Sequence, residues 1–253
     1  MDDPVRVAER RAVGFPVPWF EIPDWRDRYG VVAGVTGRGD AADPFDLGLA
    51  SAAPIGAVLD RWRALHRAFP EFQGTVLARQ VHGATVLWHE ARPGWTIFEG
   101  ADGHATAGAS LLLAVSLADC VPIFVVDPVR RAVALLHSGW RGTAAGILAA
   151  GIAELTRRGS RAGDLIVHAG VGICGACYQV GAEVATACGE PPPGADPVRL
   201  DLRRVIARQA RAEGVGAVTV SSWCSAHDHG SFMSHRASGG RDGRMVALLG
   251  LIP

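Results

Sequence analysis

Between Ala109 and Leu136 the chain carries three short apolar runs, Ser110–Ser116, Pro122–Val126 and Ala132–Leu136. Runs of this length without amphipathic spacing predict buried strands rather than helices. The longest apolar stretch, Ala109–Val126, is cut by Asp119-Cys120 and Pro122, which excludes it as a membrane span. Around these runs, α and β signals alternate. Thr75–Glu90 is β-rich, and Asp164–Ala169, Ala217–Ser221 and Met245–Leu251 read as further strands. Helices are predicted over Thr143–Arg158 with a glycine stop at Gly159, over Tyr178–Cys188, and over the Arg-rich amphipathic Leu200–Glu213. Pro191-Pro192-Pro193 marks a loop rather than a boundary. The expectation is one α+β domain over residues 1–253, with a doubly wound sheet left open by the alternation alone.

Composition removes several functions. All 25 cationic residues are arginines, so a P-loop lysine, a Schiff-base nucleophile and a pyridoxal anchor are excluded. No asparagine occurs, which excludes N-glycosylation. The 25 Asp+Glu balance the arginines, and a neutral chain argues against a nucleic-acid binder. Five cysteines and an acidic Met-Asp-Asp-Pro start do not resemble a secreted disulfide scaffold, so a cytoplasmic protein with reduced thiols is expected.

Three polar residues interrupt the apolar pattern at strand ends: His82, Cys120 and His137. Strand ends are where a rigid scaffold presents reactive groups. Two imidazoles and a thiolate make a borderline-soft donor set suited to zinc or copper, and three protein ligands leave a fourth position open. The same residue types equally fit a metal-free hydrolase, with Cys120 as nucleophile and His137 or His82 as base, or three unrelated buried side chains. Arg141, on the turn Ser138–Thr143 leading into a helix, is a candidate anion-binding group, with a salt bridge as its competing role. Asp119, beside the thiol, is a candidate for orienting a histidine or for acid–base work.

Several blocks in order resemble one family. They are Gln80-Val81-His82-Gly83, Ala118-Asp119-Cys120-Val121-Pro122, His137-Ser138-Gly139-Trp140-Arg141-Gly142-Thr143, Ile173-Cys174-Gly175-Ala176-Cys177-Tyr178-Gln179-Val180, and Phe232-Met233-Ser234-His235-Arg236 with Gly243-Arg244. The chain resembles the laccase-domain, or multicopper polyphenol oxidoreductase, family, whose members are described as purine nucleoside phosphorylases with adenosine deaminase activity. The resemblance implies an α/β sandwich with mixed sheets flanked by helices. It also implies zinc on His82, Cys120 and His137, and purine nucleosides (adenosine, inosine, methylthioadenosine) and phosphate as substrates. Arg141, Arg236, Arg244 and Gln80 would be the substrate-binding groups. Copper-dependent phenol oxidation fits the older family name, but only one His-x-His pair, His227 and His229, is present where a multicopper cluster needs several.

The chain departs from the family pattern at Ala176, Gln179, His104 and Asp46. The zinc-deaminase signature H-x-E with P-C-x-x-C is missing. Cys174-x-x-Cys177 has half-site spacing with no second half-site following, and in the family context reads as a structural turn. His227, Asp228, His229 and His235 lie in a polar loop and read as solvated, as does His66 beside Arg63 and Arg67.

Overall fold

The computed structural model describes residues 3–190 and 197–253, so the Pro191–Pro193 loop lies outside the described residues. Two seven-stranded mixed sheets face each other. The first runs Val5–Val7, Ala217–Ser221, Ile166–Ala169, Val121–Asp127, Ala132–Ser138, Gly103–Thr106, Val86–His89 in spatial order. The second runs Arg10–Arg11, Trp19–Glu21, Val31–Thr36, Met245–Leu251, Leu111–Leu117, Gly74–Arg79, Gly94–Glu99.

The alternation of side chains along each strand explains the unbroken apolar runs. From Leu111–Leu117, Leu111, Leu113 and Val115 point between the sheets, where they meet Phe124, Val126, Val133 and Leu135 of the first sheet. Leu112 and Ala114 point outward onto Trp62, Leu65 and Phe69 on and after the helix Ile55–Arg67. On the other side, Ile123, Val125, Ala134 and Leu136 pack with Ile147, Leu148 and Ile152 of the helix Ile147–Thr156. Val205 and Ile206 of the helix Leu202–Ala212 complete that layer. Both faces of each central strand are therefore dry, and neither face tolerates the polar alternation of a half-exposed sheet. Helices thus flank both sheets, giving the mixed-sheet sandwich that the resemblance implies and setting aside a doubly wound sheet. Among the described residues no helix is long and apolar enough to cross a membrane.

Two predicted helices are redrawn. Thr143–Arg158 is two helices, Trp140–Ala144 and Ile147–Thr156, because Gly146 adopts a left-handed φ of 79° between them. Tyr178–Cys188 holds only the short helix Ala182–Ala187. Before it, Gln179–Val180 pairs with Val198–Arg199, and the Tyr178 carbonyl accepts from the Leu200 amide at 3.0 Å. His66 is half-buried rather than solvated, with its ring 6.3 Å from that of Trp95.

Candidate functional site

Register brings the distant blocks together. Val121–Asp127 and Ala132–Ser138 form an antiparallel hairpin in which Val121 pairs with Ser138 and Pro122 with His137. The hairpin turn is held by Asp127, whose Oδ1 accepts from the amides of Val129 and Arg130, each at 2.9 Å. Cys120, one residue before the hairpin, is thereby delivered to His137 at its other end. Ala132–Ser138 also pairs with Gly103–Thr106, and the His137 amide donates to the Asp102 carbonyl at 2.7 Å. The third donor, His82, lies on the segment that leaves Gly74–Arg79 of the second sheet for Val86–His89 of the first. Cys120 lies on the crossing from Leu117 to Val121. The site therefore sits where two crossings between the sheets, carrying His82 and Cys120, meet the end of the strand Ala132–Ser138 that carries His137.

His82, Cys120 and His137 each offer one donor atom within 4.8 Å of the others. The two imidazoles meet edge to face, with centroids 4.9 Å apart. His137 is buried, Cys120 half-buried and His82 exposed, so the cluster is anchored on one side and open on the other. Gly139 makes room for it: a Cβ there would lie 3.0 Å from both Cys120 Sγ and His82 Cδ2.

Asp102 organises this cluster, and sequence reasoning did not single it out. Its fully buried carboxylate accepts from the amides of Val81, His82 and Gly83 at 3.0, 2.9 and 2.8 Å, and lies 2.9 Å from His137 Nδ1. Burial would raise its pKa, but the His137 contact and the backbone donors hold it below the usual carboxylate range. Because the carboxylate only accepts, Nδ1 of His137 carries a proton, which leaves Nε2 as the ring nitrogen a metal would take on displacing the second proton. A carboxylate behind a histidine is the outer-shell arrangement of metal-ligating imidazoles, and the residues fit a bound zinc on this observation. Burial opposes charge on Cys120 and His137, yet each holds the other ionised: Cys120 is lowered to about 6 by His137 and His82, and His137 is raised to about 9 by Cys120 and Asp102.

Asp119 is turned away from the histidines. At φ 87° it directs Oδ1 to the hydroxyls of Ser225 and Ser234 at 2.7 and 2.6 Å, and Oδ2 to the Arg236 amide at 2.7 Å. It ties the C-terminal blocks to the Cys120 turn. Gln80 exchanges two hydrogen bonds with the Ser116 backbone, its Oε1 accepting from the amide at 2.7 Å and its Nε2 donating to the carbonyl at 2.9 Å. Arg141 is exposed and stacked 4.4 Å over Trp140, with no carboxylate paired to it among the described residues. Arg236 donates to the Gln179 carbonyl at 3.1 Å and lies 5.3 Å from the Tyr178 ring centre. The Tyr178 hydroxyl is pushed up to about 12, chiefly by burial and then by the Cys120 charge. Arg244 donates to the carbonyls of Asp242 and Gly243, and its amide is held by Asp46 at 2.8 Å.

The remaining histidines separate. His229 is half-buried and partnered: its Nε2 lies 2.7 Å from Asp242, which also pairs with Arg38 at 2.5 Å. His227 joins Cys174, Cys177 and Cys224 in a second cluster, of four residues. Cys174-x-x-Cys177 does have a partner half-site, Cys224-x-x-His227, whose spacing was readable in the sequence. The His227-x-His229 pair is thus divided between two unrelated environments. His104 is buried, with Nδ1 2.9 Å from His89 Nε2.

The chain matches the family described as multi-copper polyphenol oxidoreductase laccase over residues 33–252. It is 34% identical over 249 residues to the purine nucleoside phosphorylase YlmD of Geobacillus stearothermophilus, covering 87% of this chain and 90% of that protein. It is 34% identical over 158 residues to the adenosine deaminase RL5 of an unknown prokaryotic organism, covering 58% and 60%. The crystal structure of YlmD from Geobacillus stearothermophilus superposes with a TM-score of 0.85 at 30% identity, covering 97% of this chain and 100% of that one.

Proposed function

The chain belongs to the multi-copper polyphenol oxidoreductase laccase family, and on that basis we propose that it is a zinc-dependent purine nucleoside phosphorylase with adenosine deaminase activity. The observation that carries this reading is the convergence of His82, Cys120 and His137 with Asp102 behind His137. Zinc held by these three residues would supply Lewis acidity to a bound oxygen or ring atom.

The chain's own groups do the rest. Asp102 keeps the proton on Nδ1 of His137 and fixes its ring, while its three amide contacts hold the His82 loop in place. In phosphorolysis, a phosphate oxygen bonds to C1′ as the C1′–N9 bond breaks, and the bonding electrons leave with the purine. Arg141, lacking a carboxylate partner among the described residues, is the group assigned to the phosphate, since guanidinium binds it through paired N–H donors. Arg236, whose amide is held by Asp119 next to Cys120, and Tyr178, which Arg236 overlies, are assigned to the nucleoside. In deamination, water oxygen adds at C6 of adenosine and ammonia leaves. Gln80, bonded through both amide atoms to the Ser116 backbone, braces the His82 segment, and Arg244 turns Nη1 back onto the Asp242 and Gly243 carbonyls.

The test is product analysis of adenosine and inosine incubated with zinc-loaded protein, with and without phosphate. The expected products are free base and ribose 1-phosphate only when phosphate is present, and inosine from adenosine in either case. Cys120→Ala abolishes both reactions, because a three-ligand site that loses its thiolate holds the ion poorly. A wild type that releases no base in a phosphate-dependent manner overturns the proposal.

A second reading has a specific observation behind it. Cys120, His137 and Asp102 also form the nucleophile–base–orienter series of a thiol hydrolase. Such a series has no use for a second imidazole on the sulfur, so His82 favours the metal reading. Iodoacetamide separates the two: Cys120 is alkylated faster after chelation if zinc covers it, and at an unchanged rate if it is a free nucleophile.

A further inference from the structure

A second group of metal-type donors lies on the Asp119 side of the site and takes no part in the function proposed above. The sulfurs of Cys174, Cys177 and Cys224 and one ring nitrogen of His227 all lie within 4.8 Å of one another. All three cysteines are free thiols. In sequence they form two pairs with the same spacing, Cys174-x-x-Cys177 and Cys224-x-x-His227, set on two turns that the fold brings face to face. A parallel bridge between Gly172 and Cys224 aligns the two turns. The pairing of two such short-spaced half-sites is the sequence form of closed structural zinc centres.

Local hydrogen bonding suits a ligating thiolate. Cys224 is buried, and its sulfur accepts from the amides of Cys174 at 3.3 Å and His227 at 3.5 Å. These donors compensate negative charge on a sulfur that water does not reach. His227 turns its ring inward across the cluster, with Nδ1 3.5 Å from Cys174 Sγ. Tetrahedral zinc with Zn–S bonds of about 2.3 Å places its donors roughly 3.7 Å apart. No pair of donors therefore needs to contract by more than about 1 Å.

We propose that Cys174, Cys177, Cys224 and His227 form a closed, structural zinc site, additional to the His82–Cys120–His137 centre and sharing no ligand with it. Three thiolates and one imidazole fill a tetrahedron, so no position is left for substrate and the ion acts as a cross-link. The three thiols release their protons on binding, which makes occupancy fall in acid.

The position of the cross-link gives it a role. The turn after Gly172 donates the Ile173 amide to the Asp119 carbonyl at 2.9 Å, and the turn after Cys224 donates the Ser225 hydroxyl to the Asp119 carboxylate at 2.7 Å. Both turns therefore grip the residue next to Cys120. Joining them through one ion holds Asp119, and with it the Cys120 turn, Tyr178 and the Arg236 amide, in one arrangement.

Untagged wild type, purified under reducing conditions and freed of loosely bound metal, is analysed for zinc per chain by mass spectrometry. The expected content is two equivalents in wild type, one in Cys120→Ala, and one in the double variant Cys174→Ser with Cys224→Ser. Should the double variant fail to fold, Cys120→Ala decides the matter when stripped and titrated with cobalt(II). Its remaining thiolate ligands are those of this cluster, so sulfur-to-cobalt charge-transfer absorption saturating at one equivalent supports the proposal. Iodoacetamide labelling followed by peptide mass analysis gives a third readout: Cys174, Cys177 and Cys224 become reactive only after chelation. A wild type with one equivalent that disappears entirely in Cys120→Ala overturns the proposal. So does a Cys120→Ala protein lacking sulfur-to-cobalt absorption, or a Cys174–Cys177 disulfide in the protein as purified.

Discussion

Replacing Asp102 with asparagine nearly preserves volume and removes the charge, which isolates what the carboxylate does. In the wild type it serves four donors: the amides of Val81, His82 and Gly83, and His137 Nδ1. An asparagine has one oxygen, which accommodates two of these, and its NH2 faces the other two. A buried donor left without an acceptor costs about 1–3 kcal/mol, so two of them cost roughly 2–6 kcal/mol. Val81 and His82 lie on an exposed loop that can relax toward water, which places the expected loss at the lower end, about 2–4 kcal/mol. The His137 ring also loses its tautomer restraint, and loss of such an outer partner typically weakens metal binding about 10–100-fold. Urea unfolding of the metal-free protein at neutral pH and zinc retention against a competing chelator measure the two effects separately. The pH dependence has a defined sign. The folded-state pKa of Asp102 is depressed, so its contribution is present above the ordinary carboxylate range and is lost as pH falls through the folded value. The gap between wild type and Asp102→Asn should therefore close in acid. Unchanged stability together with unchanged zinc retention at neutral pH would refute the organising role of Asp102.

The same geometry sets three further outcomes. Gly139→Ala keeps an extended backbone that alanine tolerates (φ −82°, ψ 176°) but sets its Cβ 3.0 Å from Cys120 Sγ and His82 Cδ2. Circular dichroism should stay wild-type while bound zinc and activity fall, and full zinc occupancy would contradict this. Arg141→Ala should slow phosphorolysis about 10–100-fold, the equivalent of one lost charge-assisted interaction, and leave deamination largely intact. Equal loss of both activities assigns Arg141 to the nucleoside or the fold. Burial and the neighbouring Arg92 lower His89 to about 4, and burial and His89 lower His104 to about 3. Both stay neutral in the folded state while the unfolded chain takes up protons below about 6.5, so they make stability fall between about pH 6.5 and 4. A His89→Leu, His104→Leu double variant should show a shallower decline in unfolding free energy over that window.

The buried strands and the three donors were legible in the chain alone. Leu111–Leu117, Val121–Asp127 and Ala132–Ser138 are apolar through their centres because each is covered on two faces, a local pattern that survives without any knowledge of partners. His82, Cys120 and His137 stood out because a polar group at the end of such a strand is exceptional wherever the chain goes next. Their convergence, though, is a property of register: Cys120 and His137 meet through a hairpin, and Asp102 reaches His137 through the next strand pair, 35 residues away. An aspartate between alanine and glycine looks like a turn residue until that pairing is known. The same limit applied to Asp119, whose positive φ turns its carboxylate to two serines instead of a histidine. Cys174-x-x-Cys177 read as an isolated half-site because its partner Cys224-x-x-His227 lies 50 residues on, with the helices Ala182–Ala187 and Leu202–Ala212 between them. Residue type and spacing are local quantities. Which carboxylate faces which imidazole, and which half-site meets which, depends on strand pairing and turn geometry that act over distances no local pattern records.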